Sequence, residues 1–163
     1  MAKKLGIVDT SFARVDMGGI ALKYLNGAGS AGDDIECVRV TVPGFKDLAV
    51  EAKRLVERDR CDVVLAMGWS GGAELDARSA QIASAGIMLA QLMTGHHILE
   101  VFIHAEEAPD DERRLRSIAE SRVRGHCENA LRMLRDRFSL VGRAGTGRRQ
   151  GGLDAGPLPS HGR

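Results

Sequence analysis

DVVLAM, residues 62–67, is the most continuous apolar run of the chain and decides the fold. A run of this length, bounded by Gly68, is typical of a strand that is buried on both faces of a sheet. Such a strand needs helices packed on both sides of its sheet, as in parallel α/β proteins. The segments around it fit this expectation.

Predicted strands and predicted helices alternate along the chain. Further strands are predicted at residues 5–8, 35–42 and 98–103. Apolar residues at helical spacing predict a helix that opens at Asp16 and helices at residues 46–58, 75–93 and 111–135. We therefore expect one α/β domain with a four-stranded parallel sheet over residues 1–138, followed by a loosely ordered tail, rich in Gly, Arg and Pro, over residues 139–163.

The composition argues against several classes of protein. The net charge of +1 gives no indication of nucleic-acid binding. No segment approaches the ~20 apolar residues that span a bilayer, and the short apolar run at the start does not match a signal peptide. Cys37, Cys61 and Cys127 lie far apart, which predicts reduced thiols and a cytoplasmic location rather than a disulfide framework.

GAGSAG, residues 27–32, matches the glycine pattern of dinucleotide-binding loops. That pattern binds pyrophosphate when it follows a strand and opens a helix. Here it follows a predicted helix and precedes a predicted strand. We therefore interpret residues 26–34 as a glycine-rich surface loop.

GWSGG, residues 68–72, matches the nucleophile elbow of serine hydrolases. It follows a predicted strand, and His104, His126 and Asp110 could supply the other members of a triad. The elbow also requires a helix directly after the serine, whereas the two glycines and Glu74 indicate an intervening loop. We favour a Ser70 that hydrogen-bonds a ligand over a nucleophile.

The predicted strands all end in short segments that contain polar or aromatic residues. In a parallel α/β sheet these carboxyl ends lie along one edge, where ligands bind. The sequence therefore predicts a ligand site formed by residues 9–12, 43–46, 68–70 and His104.

Segments in a conserved order resemble the archaeal riboflavin synthases, which are related to the lumazine synthases. They are LGIVDTSFARVDM (5–17), TVPGFKDLAV (41–50), CDVVLAMG (61–68), AGIMLAQLMTGHHILEVFIHAEEA (85–108), HCENA (126–130) and GTGRRQGGLDAGP (145–157). Members of the family often have a Pro and a Lys in the loop that here reads WSGGAELD (69–76). This loop also lacks the Arg-Gly-x-x-x-His pattern of lumazine synthases, which argues against that activity.

The resemblance implies a flavodoxin-like, lumazine synthase-like three-layer sandwich that forms a homopentamer with sites between subunits. It implies that one 6,7-dimethyl-8-ribityllumazine gives four carbons to another, which yields riboflavin and 5-amino-6-(D-ribitylamino)uracil. It also implies a divalent cation such as Mg2+. Two alternatives remain: a 6,7-dimethyl-8-ribityllumazine synthase, for whose phosphate Arg122 is the best-placed candidate, and a non-catalytic flavin- or lumazine-binding protein.

A flat heterocycle with a ribityl chain needs an apolar wall and several hydrogen-bond donors. Phe12 and Trp69 are candidate walls, and either could instead be a core residue. Lys46 could bind a hydroxyl or carbonyl oxygen, whereas Asp47 is equally explained by the helix dipole. The predicted substrate-binding residues are Thr10, Ser11, Phe12, Pro43, Gly44, Lys46, Asp47, Gly68, Trp69, Ser70 and Arg122.

The implied reaction begins when a lumazine loses a proton from its 7-methyl group. Catalysis needs a base, alignment of two rings and donors for the delocalised charge. His104, His126 and Lys46 are the candidate catalytic residues, although His104 could merely end a strand and His126 could lie at a subunit contact. Glu74 and Asp76 could bind Mg2+ or serve as first-turn acids of a helix, so the metal ligands stay undetermined.

Residues 75–93 also predict contact with a second subunit. One side of this helix carries Ile82, Ala85, Gly86, Leu89 and Met93, and the small and sulfur-containing residues Ala85, Gly86, Met88, Ala90 and Met93 suit close helix packing. Packing inside the subunit explains part of this face equally well. A shallow cleft at the strand ends of one subunit also needs a second wall, so we expect a homo-oligomer.

Overall fold

The apolar runs of the sequence form the strands of one sheet in the computed structural model, which describes residues 2–29 and 35–159. The strands are β1 (Lys3–Thr10), β2 (Ile35–Val42), β3 (Val63–Ser70) and β4 (His97–His104). The helices are α1 (Met17–Gly29), α2 (Leu48–Glu57), α3 (Glu74–Thr94) and α4 (Glu112–Arg135). Short 3-10 turns lie at Phe45–Asp47, Ala105–Glu107 and Val141–Arg143.

The sheet is entirely parallel and has the strand order β2-β1-β3-β4. This is the order of the flavodoxin-like doubly wound sheet without its fifth strand. Every residue of the central strand β3 is buried, which explains why residues 62–67 show no polar alternation. The predicted α/β fold is confirmed.

Helices cover both faces of the sheet and divide the core into two parts. On one face, α1 and α4 pack against inward-facing residues of β1, β3 and β4, around Leu5, Ile7, Leu65 and Val101. On the other face, α2 and α3 pack around Val8, Val64, Ala66 and Ile98. The result is the expected three-layer sandwich. No helix within residues 2–29 and 35–159 is long and apolar enough to cross a membrane.

Several predicted boundaries need correction. β3 continues through Ser70, so residues 68–70 are strand rather than loop. A 3-10 turn precedes α2, which begins at Leu48 rather than at Lys46. α1 extends through Gly29, so the predicted loop is wrong for residues 26–29. The remainder of that loop, residues 30–34 with Gly32 of the GAGSAG segment, lies outside the described residues.

α3 buries mainly small residues, with Ile87 among them, and exposes most of its large apolar ones. Ala80, Ala83, Ile87 and Ala90 face the sheet. Ile82, Leu89 and Met93 of the predicted apolar side are 52%, 61% and 70% exposed. Alanines allow α3 to approach the sheet closely, so the larger apolar side chains are left on the outside.

The chain after α4 folds back along that helix. Arg143 donates to Glu128 at 2.5 Å, and Arg122 donates to the carbonyl oxygen of Gln150 at 3.3 Å. Within this segment the amide of Ala155 donates to the carbonyl oxygen of Gly147 at 2.9 Å. These bonds connect residues 143 and 150 to α4 and join residues 147 and 155 to each other.

Candidate active site

All four strands end at one edge of the sheet, as predicted. Their last residues are Thr10, Val42, Ser70 and His104. The direction in which the chain winds reverses between β1 and β3, and ligands bind above such a switch point in open α/β sheets. Phe12 lies there, because a Cβ added to Gly71 after β3 would be 3.9 Å from its ring.

The loop after β1 exposes Phe12 and ties down its neighbours. Thr10 Oγ1 donates to the carbonyl oxygen of Phe12 at 3.1 Å, and Ser11 Oγ donates to the carbonyl oxygen of Pro43 at 3.2 Å. Phe12 itself is 60% exposed, so it is not a core residue of the α/β domain. The two predicted hydroxyl groups therefore shape the loop, and the Phe12 ring is the surface that can stack on a flat ligand.

Arg39, which sequence reasoning missed, holds both ends of this loop. Its Nη2 donates to Asp9 Oδ2 and to Asp16 Oδ1, each at 2.5 Å. Thr41 Oγ1 also donates to Asp9, at 2.6 Å. Two features of the sequence could have indicated this pair. Arg39 is a charged residue inside the apolar pattern of one strand, and Asp9 lies near the end of the neighbouring strand. Asp9 is only 4% exposed, and a buried carboxylate needs partners of this kind.

Charge pairing also sets the ionisation of this network. Burial lowers the pKa of Arg39, but its bonds to the two carboxylates outweigh burial and raise that pKa above the usual value. The Gly19 amide, which Asp16 caps at the start of α1, and then Arg39 lower the pKa of Asp16. Arg39 and Asp16 therefore stay ionised at neutral pH.

The loop after β2 contains both available and committed groups. The Gly44 amide donates to Asp47 Oδ2 at 3.2 Å, so this pair caps a helical turn instead of facing a ligand. Pro43 and Lys46 are exposed. Lys46 has no ion-pair partner among the described residues, which leaves its ammonium group available at the edge.

Phe45 closes part of the predicted site. Its ring packs edge-to-face on Phe102, with centroids 4.7 Å apart. It also lies over Gly68, where any Cβ would overlap the ring. Gly68 therefore makes room for Phe45 and is covered, which does not support its predicted contact with substrate.

Trp69 and Ser70 belong to the interior. The Trp69 indole is 3% exposed and lies in the core on the side of α1 and α4, so it cannot form a ligand wall from that position. Ser70 is fully buried, and its Oγ donates to the carbonyl oxygen of Gly71 at 3.2 Å. Because α3 begins only at Glu74, the segment is not a nucleophile elbow.

Arg122 is committed to internal partners. Its Nη1 donates to the Phe102 carbonyl oxygen at 2.7 Å and to Glu107 Oε1 at 2.6 Å. Its Nη2 donates to Glu107 Oε2 at 2.5 Å and to the Gly151 carbonyl oxygen at 3.4 Å. The bond from Nε to Gln150 uses the last of the five N–H donors that an arginine has. The predicted contact of Arg122 with substrate therefore has no free donor.

His104 lies half-buried at the end of β4, where a candidate base is expected. Its amide donates to Glu107 Oε1 at 3.0 Å. Burial raises the pKa of Glu107, but the bonds from Arg122 and from this amide outweigh it and lower that pKa below the usual value. Glu107, another residue that sequence reasoning missed, is thus an ionised anchor beside His104.

His126 has a different environment. It lies one turn beyond Arg122 on α4, and its Nδ1 is buried without a hydrogen-bond partner among the described residues. Burial and the Arg122 charge lower its pKa to about 4. His126 is therefore neutral at neutral pH and a weak base, which favours His104 as the candidate base.

The donor set of the described residues does not fit a dedicated Mg2+ site. Glu74 is exposed and pairs with Arg78 at 3.3 Å, and Asp76 is its first-turn neighbour. Within residues 2–29 and 35–159, no group of three or more His, Cys, Asp or Glu side chains could hold a metal ion.

The doubly wound parallel sheet makes this chain an α/β protein of the flavodoxin-like class. An exposed aromatic residue and a lysine lie at its strand ends. Comparison with known sequences shows the family. Residues 2–137 match the model of the 6,7-dimethyl-8-ribityllumazine synthase family, and the chain belongs to that family. Within it, the chain is similar to archaeal proteins named riboflavin synthase. That of Methanothermobacter thermautotrophicus is 48% identical, with 95% of this chain and 99% of the relative covered.

Two further relatives bear the same name. The riboflavin synthase of Archaeoglobus fulgidus is 45% identical, with 95% of this chain and 98% of the relative covered. That of Aeropyrum pernix is 41% identical, with 97% of this chain and 99% of the relative covered. The similarity therefore includes the tail as well as the α/β domain.

The environment of His126 predicts a pH dependence of stability. The native protein keeps this histidine neutral, whereas the unfolded chain binds its proton near pH ~6.5. The contribution of neutral His126 to stability is fully present above that pH and is lost as the pH falls towards about 4. We expect the free energy of unfolding, measured with urea, to fall by about 2 kcal/mol more for wild type than for His126→Gln between pH 6.5 and 4.5.

The matched control is His97→Gln, which changes an exposed histidine and should keep the wild-type dependence on pH. Equal slopes for wild type and His126→Gln would contradict the buried, neutral state of His126.

Proposed function

We propose that this protein is a riboflavin synthase, an enzyme of riboflavin biosynthesis that transfers four carbons between two molecules of 6,7-dimethyl-8-ribityllumazine. The identity of 41–48% over nearly the full length of proteins with that name carries the proposal. The products are riboflavin and 5-amino-6-(D-ribitylamino)uracil. Because four-carbon transfer moves a group from one molecule to another, the enzyme is a transferase.

Alignment of two flat rings is the main task of the site. The exposed ring of Phe12 supplies one stacking surface, and the bonds of Thr10, Ser11 and Arg39 fix the loop that carries it. Because its loop is already fixed, the Phe12 ring loses little conformational freedom when substrate binds. Well-oriented reactants can gain effective molarities of about 10⁵ M or more, so alignment accounts for much of the rate.

Proton transfer and charge stabilisation complete the mechanism. Loss of the 7-methyl proton leaves a negative charge delocalised over the donor ring. The ammonium group of Lys46 is available to stabilise that charge or to bind a ribityl hydroxyl. His104, at the end of β4, is the candidate that accepts the proton, because His126 is buried beyond Arg122 and weakly basic.

The structure of the last helix disfavours the lumazine synthase alternative. That reaction uses a four-carbon phosphate and needs a cation to bind it. Arg122 was the best-placed candidate, but each of its N–H donors is bonded inside the subunit. A phosphate would have to displace Glu107, an ionised partner that binds through both of its oxygens.

Incubation of the purified protein with 6,7-dimethyl-8-ribityllumazine tests the proposal directly. Riboflavin fluorescence and the released pyrimidine should appear in equal amounts. Binding without turnover would favour a non-catalytic lumazine-binding protein. Lumazine formation from the pyrimidine and a four-carbon phosphate would favour the lumazine synthase. Parallel reactions with Mg2+ and with EDTA test the divalent cation, which only the family resemblance supports.

The exposed side of α3 supports assembly into an oligomer, which we propose is the pentamer implied by the resemblance. Leu75, Ile82 and Leu89 recur at intervals of seven residues and are 69%, 52% and 61% exposed. A seven-residue apolar repeat is the pattern by which helices pack against partner helices. A neighbouring subunit would also supply the second wall that the shallow edge lacks.

Phe12→Ala should weaken substrate binding without weakening the fold. The Phe12 ring is mostly exposed, so its loss leaves no cavity, while stacking on a flat heterocycle is lost. We expect KM to rise about tenfold, as base–aromatic stacking energies suggest, and the midpoint of thermal unfolding to stay within about one degree. Phe138→Ala, which removes a ring that is 61% exposed three residues after the end of α4, is the matched control and should leave KM unchanged. A lowered midpoint with an unchanged KM for Phe12→Ala would make Phe12 a structural residue.

Leu89→Glu should convert the oligomer into monomers. A carboxylate in the middle of an apolar helix contact would be buried without a partner. Sedimentation velocity should show smaller particles, and riboflavin formation should fall with the oligomer. Leu89→Met keeps the apolar surface and should retain both properties. A fully active wild-type monomer would overturn the proposed assembly and its shared sites.

A further inference from the structure

One cluster beside the proposed active site has no role in the mechanism given above. It consists of Glu107, Arg122, Gln150 and Gly151, and we call it the tail clamp. Arg122 binds both carboxylate oxygens of Glu107, at 2.6 and 2.5 Å. The same guanidinium group reaches the carbonyl oxygens of Gln150 and Gly151 at 3.3 and 3.4 Å. Residues 150 and 151 of the tail are thus attached to α4 through the Arg122 side chain.

Glycines allow the close approach that this attachment needs. Gly151 has a φ of +74°, which favours glycine, and a Cβ there would lie 2.6 Å from both Cβ and Nε of Arg122. A Cβ on Gly125, in α4, would lie 2.9 Å from Cγ of Gln150. Glycine therefore stands on both sides of the contact, at positions where a larger residue would overlap the docked tail or Arg122.

The tail clamp also holds the end of β4. Arg122 donates to the Phe102 carbonyl oxygen at 2.7 Å, two residues before His104. Glu107 Oε1 accepts the His104 amide at 3.0 Å. The guanidinium group that docks the tail therefore also fixes the carboxylate that holds the candidate base.

We propose that the tail clamp is a positioning device for the reaction. Docking of Gly151 fixes Arg122, Arg122 fixes Glu107, and Glu107 fixes His104 at the strand-end edge. These residues act through His104 and do not touch the substrate themselves. The inference rests on the proposed function, because its main readout is the rate of riboflavin formation.

Gly151→Ala and Gly145→Ala form a matched pair that tests this proposal. Both glycines lie in the tail at nearly the same backbone angle, with φ of +74° and +76°. Only the Cβ at position 151 meets Arg122, because the space around Gly145 is open. The two variants share the same local backbone strain and differ in their effect on the tail clamp.

For Gly151→Ala we expect kcat to fall by about tenfold to a hundredfold, the size of effect that a small misplacement of a reacting group produces, with a smaller change in KM. Trypsin should cleave the native variant faster at Arg148 and Arg149, because the tail is released. Gly145→Ala should keep the wild-type kcat and cleavage rate. Glu107→Gln keeps an oxygen for the His104 amide but loses the charge that binds Arg122. It should also release the tail and lower kcat, which gives a second test if Gly151→Ala unfolds.

Two results would overturn the proposal. The clamp is purely structural if the tail is released in Gly151→Ala or Glu107→Gln while kcat stays at the value of Gly145→Ala. A lower kcat with the tail still protected from trypsin would mean that docking does not control the reaction. A wild-type protein that forms no riboflavin would instead reject the proposed function, and the positioning role with it, while the cleavage rates would still report docking.

Discussion

Burial of β1 and β3 on both faces is the constraint on which the rest of the structure depends. All eight residues of β3 are buried, so the sheet is stable only with helices packed on each side. Polar groups have few tolerable positions inside such a sandwich, because a buried polar group without a partner is costly. The candidate site residues consequently lie mainly at the edge where the four strands end, and the loops there need other means of support.

Two arginines provide much of that support. Arg39 joins the two ends of the loop that exposes Phe12, and Arg122 joins the end of β4 to the tail. Each of them pairs with a shielded carboxylate, Asp9 or Glu107. Desolvation offsets much of the energy of such pairs, so the pairs themselves add little stability. This arrangement leaves Phe12 and Lys46 open to a ligand.

The two sides of α3 differ in the apolar residues that they carry. Mainly small residues face α2 and the sheet, where close approach is needed. A Cβ added to Gly86 would lie only 3.1 Å from the Ala49 Cβ. The larger residues, among them Leu92 at 82% exposure, form a surface that the subunit does not cover. The proposed oligomer would bury this surface and enclose the shallow edge at the same time.

The sequence by itself determined the order of the elements, the parallel sheet and the edge that carries the site. Hydrophobic periodicity is a local property, and the direction of the strands then places Thr10, Val42, Ser70 and His104 together. Tertiary structure alone decided which side chains at that edge are available. Trp69 is buried, Phe45 covers Gly68, and Arg122 is saturated by Glu107 and by tail carbonyls 28 and 29 residues away. The availability of a side chain depends on partners that are distant in sequence, and no local pattern encodes those contacts.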